Sequence, residues 1–456
     1  MSTTTTTTAT PIGHLPTTRS FLAPDVAAGF EPWKMNLTAI SERDPARVYV
    51  AVRDAIRVYH LNPISLACKG PALAVLRGPL VRDRNQVPLQ ADINQIKVGF
   101  LGNAEVLVAA DDLGRALIWY TDTLDTTPTP TILTLPASAW GIAIHASLHI
   151  VAITCNAHTV TVYDLRTPAA RRASPVLLDK ATQYLDVGHE PQISRTLVGH
   201  HSNVPGVVIH SSGKWAASVS IDHTCRIWRL STGACVGVVD LQQWGWQVCF
   251  LPDVGTDLVV VCATVNGVVA CRIPEPSSQP LPAPTTARLT TVFAQRPTAR
   301  HLSHFTRLSM IHLLPELGLV ALGSQDGRIA LIRVSPSSPA VMDDQLGDDD
   351  GSSGWETDSE LDVATPATAA DHGATLQIDL VTTFPARGST DEAQAPMYGM
   401  LVMRRSVMDP WDVGEPWSGT AYRIANVLLD GSARWADVGP FLPVVSAVSA
   451  SSAPEY

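Results

Sequence analysis

The chain has 456 residues, enough for two or three average domains or for one closed body built from repeats. Hydrophobic residues make up 45% of it and charged residues 16%, which excludes a chain disordered throughout. The formal net charge of −10 is concentrated: nine acidic residues and no Lys or Arg lie between Asp343 and Asp362, and the remainder, at −1, lacks the basic excess of a phosphate-backbone binder.

The cysteines (Cys68, Cys155, Cys225, Cys235, Cys249, Cys262, Cys271) form no CxxC pair and are odd in number, which argues for free thiols in a reducing compartment. Met1–Thr10 is a Thr tract without an apolar core of the signal-peptide kind, and no run of about eighteen apolar residues follows. The expectation is a nuclear or cytoplasmic protein off the membrane.

In chain order, residues 1–30, rich in Thr and Pro, read as a disordered lead, and Glu31–Ser41 enters the first structured unit. Pairs of short apolar runs then recur about turns marked by Asp, Asn or Gly. Val48–Val52 and Ile56–Leu61 flank Arg53-Asp54; Val106–Ala110 and Ala116–Tyr120 flank Asp111–Gly114; Ile150–Thr154 and Thr159–Tyr163 flank Asn156–His158. The fourth unit is the fullest, with strands predicted over Val204–His210, Lys214–Ser220, Thr224–Leu230 and Ala234–Val239 and a turn at Ile221–His223. Three more junctions follow at Val265–Gly267, Gln325–Gly327 and Leu429–Gly431. Asn, Asp and Gly suit such turns because left-handed backbone is required there and Asx side chains bond their own main chain.

Seven junctions predict an all-β, seven-bladed β-propeller, the alternative being a pair of β-sandwiches. Blades 1–6 occupy 31–334, an acidic disordered insertion 335–375, blade 7 376–445, and a disordered tail 446–456. The Pro-rich stretches Thr126–Pro136 and Pro274–Pro284 read as connections between blades. Gly199–Val239 resembles the WD-repeat consensus, with Gly199-His200 before the first strand, Asp222 in the second turn and Trp228 closing the third strand; Arg229 stands where the consensus has Asp. That resemblance implies a buried structural tetrad of His200, Ser218 or Ser220, Asp222 and Trp228.

Ile93–Gly102, Ser138–His145, Gly199–Val239 and Trp244–Phe250 give the chain a narrower likeness. They resemble fungal WD-repeat regulators of ribonucleotide reductase gene transcription. The likeness implies a scaffold in the DNA-damage response and a role as substrate receptor of a cullin-type ubiquitin ligase. Tyr163-Asp164-Leu165-Arg166 is similar to the Trp-Asp-x-Arg element by which such receptors dock their adaptor. Asp164 and Arg166 are therefore adaptor-binding candidates, or an ordinary surface pair.

Trp140, Trp244 and Trp246 stand at the starts of innermost strands and either form a partner-binding rim or pack between blades. Trp355, with Ser352, Ser353, Thr357 and Ser359 in the acidic segment, reads as a phosphorylatable docking motif or as solvating charge. His301 with His304, and His145 with His149, lack the further ligands of a zinc site. No GxSxG, GxxxxGK or HExxH motif occurs, and apolar runs such as Ile142–His145 and Val207–His210 give little sign of ionisable groups on the innermost strands. The reading is a non-catalytic, monomeric, protein-binding scaffold without cofactor, metal, membrane or direct nucleic-acid contact.

Overall fold

The computed structural model describes residues 12–14, 31, 33–62, 68, 70–124, 129–166, 192–252, 257–265, 267–274, 285–293, 307–336, 376–384, 397–405, 421–428 and 433–439. Among them there is no α-helix, only two single-turn 3-10 segments, Thr121–Thr123 and Pro315–Leu317. The strands form seven four-stranded antiparallel sheets and one short hairpin.

The first strand of the chain, β1 (Ile12–His14), belongs to the last sheet. Blade 1 runs outward through β2 (Thr38–Ile40), β3 (Arg47–Val52), β4 (Ala55–His60) and β5 (Ala74–Arg77), and is followed by the hairpin β6 (Val81–Arg82) and β7 (Pro88–Leu89). Blade 2 is β8 (Ile93–Leu101), β9 (Ala104–Asp111), β10 (Arg115–Tyr120) and β11 (Thr131–Thr134); blade 3 is β12 (Ala139–His145), β13 (Ile150–Cys155), β14 (Thr159–Asp164) and β15 (Gln192–Val198). Blade 4 comprises β16 (Gly206–Ile209), β17 (Trp215–Val219), β18 (Thr224–Arg229) and β19 (Ala234–Asp240); blade 5, β20 (Gln247–Phe250), β21 (Leu258–Ala263), β22 (Val268–Ile273) and β23 (Thr285–Leu289). Blade 6 holds β24 (Leu308–Leu314), β25 (Leu319–Ser324), β26 (Ile329–Pro336) and β27 (Leu376–Phe384); blade 7 holds β28 (Met397–Arg405), β29 (Ala421–Leu428) and β30 (Ala433–Val438), with β1 outermost.

The innermost strands touch in the order β2, β8, β12, β16, β20, β24, β28 and back to β2, which closes the ring. Second strands lie between the sheets of two neighbouring blades, and β9, β13, β17, β21 and β25 are accordingly buried along their whole length. They read in sequence as unbroken apolar runs for that reason. Outermost strands face solvent, as β15 does over most of its length.

Chain direction alternates within each sheet, so connections alternate between faces. Blade-to-blade links and the turns between second and third strands share one face, here the interblade face; turns between first and second and between third and fourth strands share the opposite face. The left-handed positions in the former turns are Arg53, Gly114, His158, His223 and Gly327 (φ 54°, 77°, 63°, 69° and 87°). Asp is not the left-handed residue, as the sequence suggests. Asp111 and Asp222 precede it, and their Oδ1 atoms accept the N–H groups of Leu113 (3.1 Å) and Thr224 (2.9 Å).

Three expected boundaries change. Ile12–His14, inside the lead read as disordered, pairs with β30 in the register Ile12↔Asp437, because the last blade otherwise ends in an open edge. Leu376–Phe384 pairs with β26 and so completes blade 6, not blade 7; the acidic segment therefore leaves and re-enters one sheet instead of linking two. Likewise Thr131–Thr134 and Thr285–Leu289 are fourth strands, which places the Pro-rich stretches within blades 2 and 5. Fourth strands carry only a faint apolar pattern, and long loops before them cost little because closure entropy grows slowly with length.

The ring joins at Asn36. Its amide donates to Met400 O (2.9 Å) and its Oδ1 accepts from Met400 N (3.2 Å), Thr38 N (3.1 Å) and Thr38 Oγ1 (3.0 Å). Its carbonyl accepts from Ile96 N of blade 2 at 3.0 Å. Gly399 permits the approach, since a Cβ there would lie 2.0 Å from Thr38 Oγ1. Asn36→Ala is expected to lower stability by about 1–3 kcal/mol in urea unfolding, whereas Asn85→Ala, in an exposed turn, leaves the midpoint unchanged.

Candidate functional site

Blade 4 assembles the hydrogen-bonded chain first. Trp228 Nε1 donates to Ser218 Oγ (2.8 Å), Ser218 Oγ meets His200 Nε2 (2.8 Å), and His200 Nδ1 meets Asp222 Oδ2 (2.9 Å). The Ser218 hydroxyl receives the indole proton and gives its own to Nε2, which puts the His200 proton on Nδ1, facing the carboxylate. Ser218 is thus the serine of this chain. Ser220 instead donates to Asn203 O (2.8 Å) and accepts Asp222 N (3.0 Å), fixing the turn.

Burial holds the His200 pKa below the ordinary imidazole value despite Asp222 beside it. Burial alone would raise Asp222, but hydrogen bonds from Thr224, the His201 N–H and His200 together bring its carboxyl down to about 2. Both groups sit at the interblade face, where they tie the link from β15 to β16 onto the blade.

On the same face, the link from β19 to β20 presents Trp244, 41% exposed, and Trp246, 6% exposed. Gly245 between them is pressed against blade 4: a Cβ there would lie 2.7 Å from Val219 Cβ and 2.8 Å from Leu241 Cδ1. One indole is consequently turned outward and the next inward. Arg307, just before β24 in the following link, lies over both, its Cζ 4.7 Å from the Trp246 ring centroid and 5.9 Å from that of Trp244. Burial lowers the Arg307 pKa, and no acidic side chain pairs with it among the described residues. A guanidinium nonetheless stays charged at neutral pH. Beside it, Gln325 N donates to Arg307 O (3.1 Å); Gln325 Oε1 and Trp246 Nε1 are buried with no hydrogen-bond partner among the described residues.

Trp140 stands two blades away, as the second residue of β12, half-buried, with its Nε1 likewise lacking a partner. The structure brings Trp244 and Trp246 together under Arg307 and leaves Trp140 separate. Arg307 was missed in the sequence, although it stands directly before a first strand as Trp246 does.

Asp164 ends β14 at the opposite face. Its Oδ1 accepts Arg166 N (2.9 Å) and Nε (3.0 Å), and its Oδ2 accepts Nη2 (2.6 Å), which raises the Arg166 pKa. The guanidinium fork is thereby spent largely on its own chain.

The innermost strands are less bare of ionisable groups than their apolar runs suggest. Glu42, Lys97, His210, Cys249 and His312 line a central cavity of about 650 Å³. Burial pushes the Cys249 thiol up to about 12 and, with Lys97 nearby, His312 down to about 4, so at neutral pH the first is a thiol and the second a neutral imidazole. Among the described residues no group of three or more His, Cys, Asp or Glu side chains is arranged to hold a metal ion. No helix of the described residues is long and apolar enough to cross a membrane. Ser352, Ser353, Trp355, Thr357 and Ser359, and His301 with His304, lie outside the described residues.

The depressed pKa values of His200 and Asp222 have one sign. Each stabilises the fold fully above its unfolded value, about 6.5 and 3.9, and the contribution is lost as pH falls through the folded value. The unfolding midpoint is therefore expected to drop as pH falls from 7 to 2, His200 acting below about 6.5 and Asp222 between about 4 and 2, and His200→Gln flattens the upper part of that slope in thermal scans; an unchanged slope there removes His200 from the account.

No protein-family model matches the chain. It is 26% identical over 215 residues to a WD40 repeat-containing protein of Dictyostelium discoideum, covering 47% of this chain and 27% of that protein. It is 28% identical over 236 residues to an uncharacterized WD repeat-containing protein of Schizosaccharomyces pombe, covering 49% and 45%. Over 40 residues it is 55% identical to cross-pathway control WD-repeat protein 2 of Flammulina velutipes, covering 9% and 13%. The matches thus span less than half the length of each relative, and none of the three is described as a regulator of ribonucleotide reductase transcription. With seven four-stranded sheets closed in a ring and a Trp228–Ser218–His200–Asp222 chain in the fourth, the protein is a seven-bladed β-propeller similar to WD40-repeat proteins.

Proposed function

We propose that this propeller is a non-catalytic protein-interaction platform that holds a partner on its interblade face, with Arg307 and Trp244 as anchors and an acidic side chain of the partner as their counterpart. The observation that carries the reading is the half-buried Arg307 guanidinium, stacked on two indoles and without a carboxylate among the described residues. Such a cation is rigid and already partly desolvated, so it loses little on pairing with an incoming carboxylate. Trp and Arg in a partly enclosed setting are the residue types that dominate interface energetics.

A finer reading rests on the family likeness. It makes the protein a nuclear or cytoplasmic regulator of ribonucleotide reductase gene transcription in the DNA-damage response, acting as substrate receptor of a cullin-type ubiquitin ligase. The client then sits at Trp244 and Arg307, with Trp140 further round the rim, and the adaptor at Arg166 on the opposite face. The fixed Asp164–Arg166 geometry at a strand end supports this assignment. A generic chromatin- or transcription-associated scaffold without a ligase is the coarser form of the same idea.

Affinity purification from nuclear extract, with mass spectrometry, separates the two faces. Arg307→Glu and Trp244→Ala are each expected to lower client recovery about tenfold or more, corresponding to a loss of about 2 kcal/mol, with thermal unfolding unchanged. Arg166→Glu is expected to remove a cullin adaptor and keep the client. Retention of every partner by Arg307→Glu sinks the platform reading at this face, and retention of the adaptor by Arg166→Glu sinks the ligase reading alone.

A further inference from the structure

The loop that carries Trp244 is fastened at both ends to the second turn of blade 4. Leu241 N donates to His223 O at 2.7 Å, and Gly245 N donates to Ser220 O at 3.0 Å. Ser220, fully buried, also holds Asn203 O through its hydroxyl (2.8 Å), so the turn and the links on either side of blade 4 form one unit. Gln243 Oε1 accepts from Thr264 Oγ1 at 3.0 Å, which adds a tie to blade 5. Trp244 is thus presented on a rigid mount, and a side chain already held in place loses little freedom on binding.

Two residues of this mount have left-handed backbone, His223 (φ 69°) and Gln242 (φ 61°), and both are exposed. A Cβ disfavours that region, which glycine reaches freely. Blades 2 and 6 place Gly114 and Gly327 where blade 4 has His223, so the turn closes without a side chain. Arg53 and His158 hold the same position in blades 1 and 3. In blade 4, however, two such residues meet, because His223 O is bonded to Leu241, the neighbour of Gln242, and both stand beside the exposed Trp244. A backbone cost kept twice at one exposed spot points to a use for the side chains outside the fold. The Gln242 amide donates and accepts at once, as a peptide group does, and the His223 ring nitrogens offer hydrogen bonds to the same kind of group. From Arg307 through Trp244 to Gln242 and His223, the rim therefore runs from a cation to peptide-like polar groups.

We propose that His223 and Gln242 are further partner contacts, and that the partner engages this rim with an extended acidic segment, one carboxylate at Arg307 and its main chain along Trp244, Gln242 and His223. The inference rests on the reading of Arg307 and Trp244 as anchors.

Glycine separates the two roles, because it relieves the backbone while removing the side chain. In the full chain, Gln242→Gly and His223→Gly are each expected to leave the thermal midpoint unchanged or raised and to lower recovery of the Arg307-dependent client about threefold or more. Gln242→Asp and His223→Asp, which also suit left-handed backbone, are expected to lower it further by repelling the acidic segment, and serve if a glycine variant does not fold. Gln242→benzoylphenylalanine is expected on illumination to crosslink a client peptide that carries Asp or Glu. Full client recovery by the folded glycine or aspartate variants, with loss by Arg307→Glu, overturns this inference alone. A crosslinked peptide without Asp or Glu, or no crosslink to the client, overturns the acidic segment. Retention of the client by Arg307→Glu, or recovery of no client, sinks the underlying reading as well.

Discussion

A ring of sheets holds only if its last sheet meets its first, and here Asn36 is the polar centre of that joint, where β2 packs against β28. Asn36 gives both polar ends of its amide to the backbone of Met400 and hands its own carbonyl to Ile96, so blades 7, 1 and 2 share one residue. At the rim, β1 completes blade 7 with residues from the other end of the chain. Both contacts join segments far apart in sequence, so their closure entropy falls due late in folding. Every inner strand is placed by this closure, and with it the channel, the Arg307 stack and the loops of each face.

The blades solve a common problem with different chemistry. Each second turn brings buried polar groups between sheets, where they must be paired. Blade 4 uses His200, Ser218, Trp228 and Asp222. Blade 2 uses Arg115 Nε on Asp111 Oδ2 at 2.7 Å, and blade 6 pairs Arg328 with Asp326; blade 7 places its buried pair, Arg423 and Asp437 at 2.7 and 2.9 Å, at the other end of the same strands. Any of these satisfies the sheet. The consequence is a propeller in which one repeat matches a consensus closely and the others share only its order of strands and turns.

That divergence explains what could be read from the sequence. Second and third strands are legible because burial on both sides demands unbroken apolar runs, as in Leu258–Ala263, and the turns between them demand Asx or Gly; all seven blades follow from these. Fourth strands are not, because Gln192–Val198 and Leu376–Phe384 face water and carry little pattern, which is why blade 6 and the closing strand are misassigned from sequence. Trp244 is visible as an unusual residue; its partner Arg307 is distant in sequence and chemically ordinary until the ring sets it over the indoles. Glu105 is similarly silent. Within an apolar strand, its buried carboxylate accepts from Ser41 Oγ (2.7 Å), Glu42 N (2.6 Å) and Thr121 Oγ1 (2.7 Å), pinning blade 1 to blade 2.

The path of the chain through blade 6 also fixes where its acidic stretch is anchored. The stretch carrying nine acidic residues departs at Pro336 and returns at Leu376, both ends of one sheet hairpin that opens away from the interblade face. Both points at which that excess negative charge is anchored thus lie on one face, and the remaining residues sum to −1.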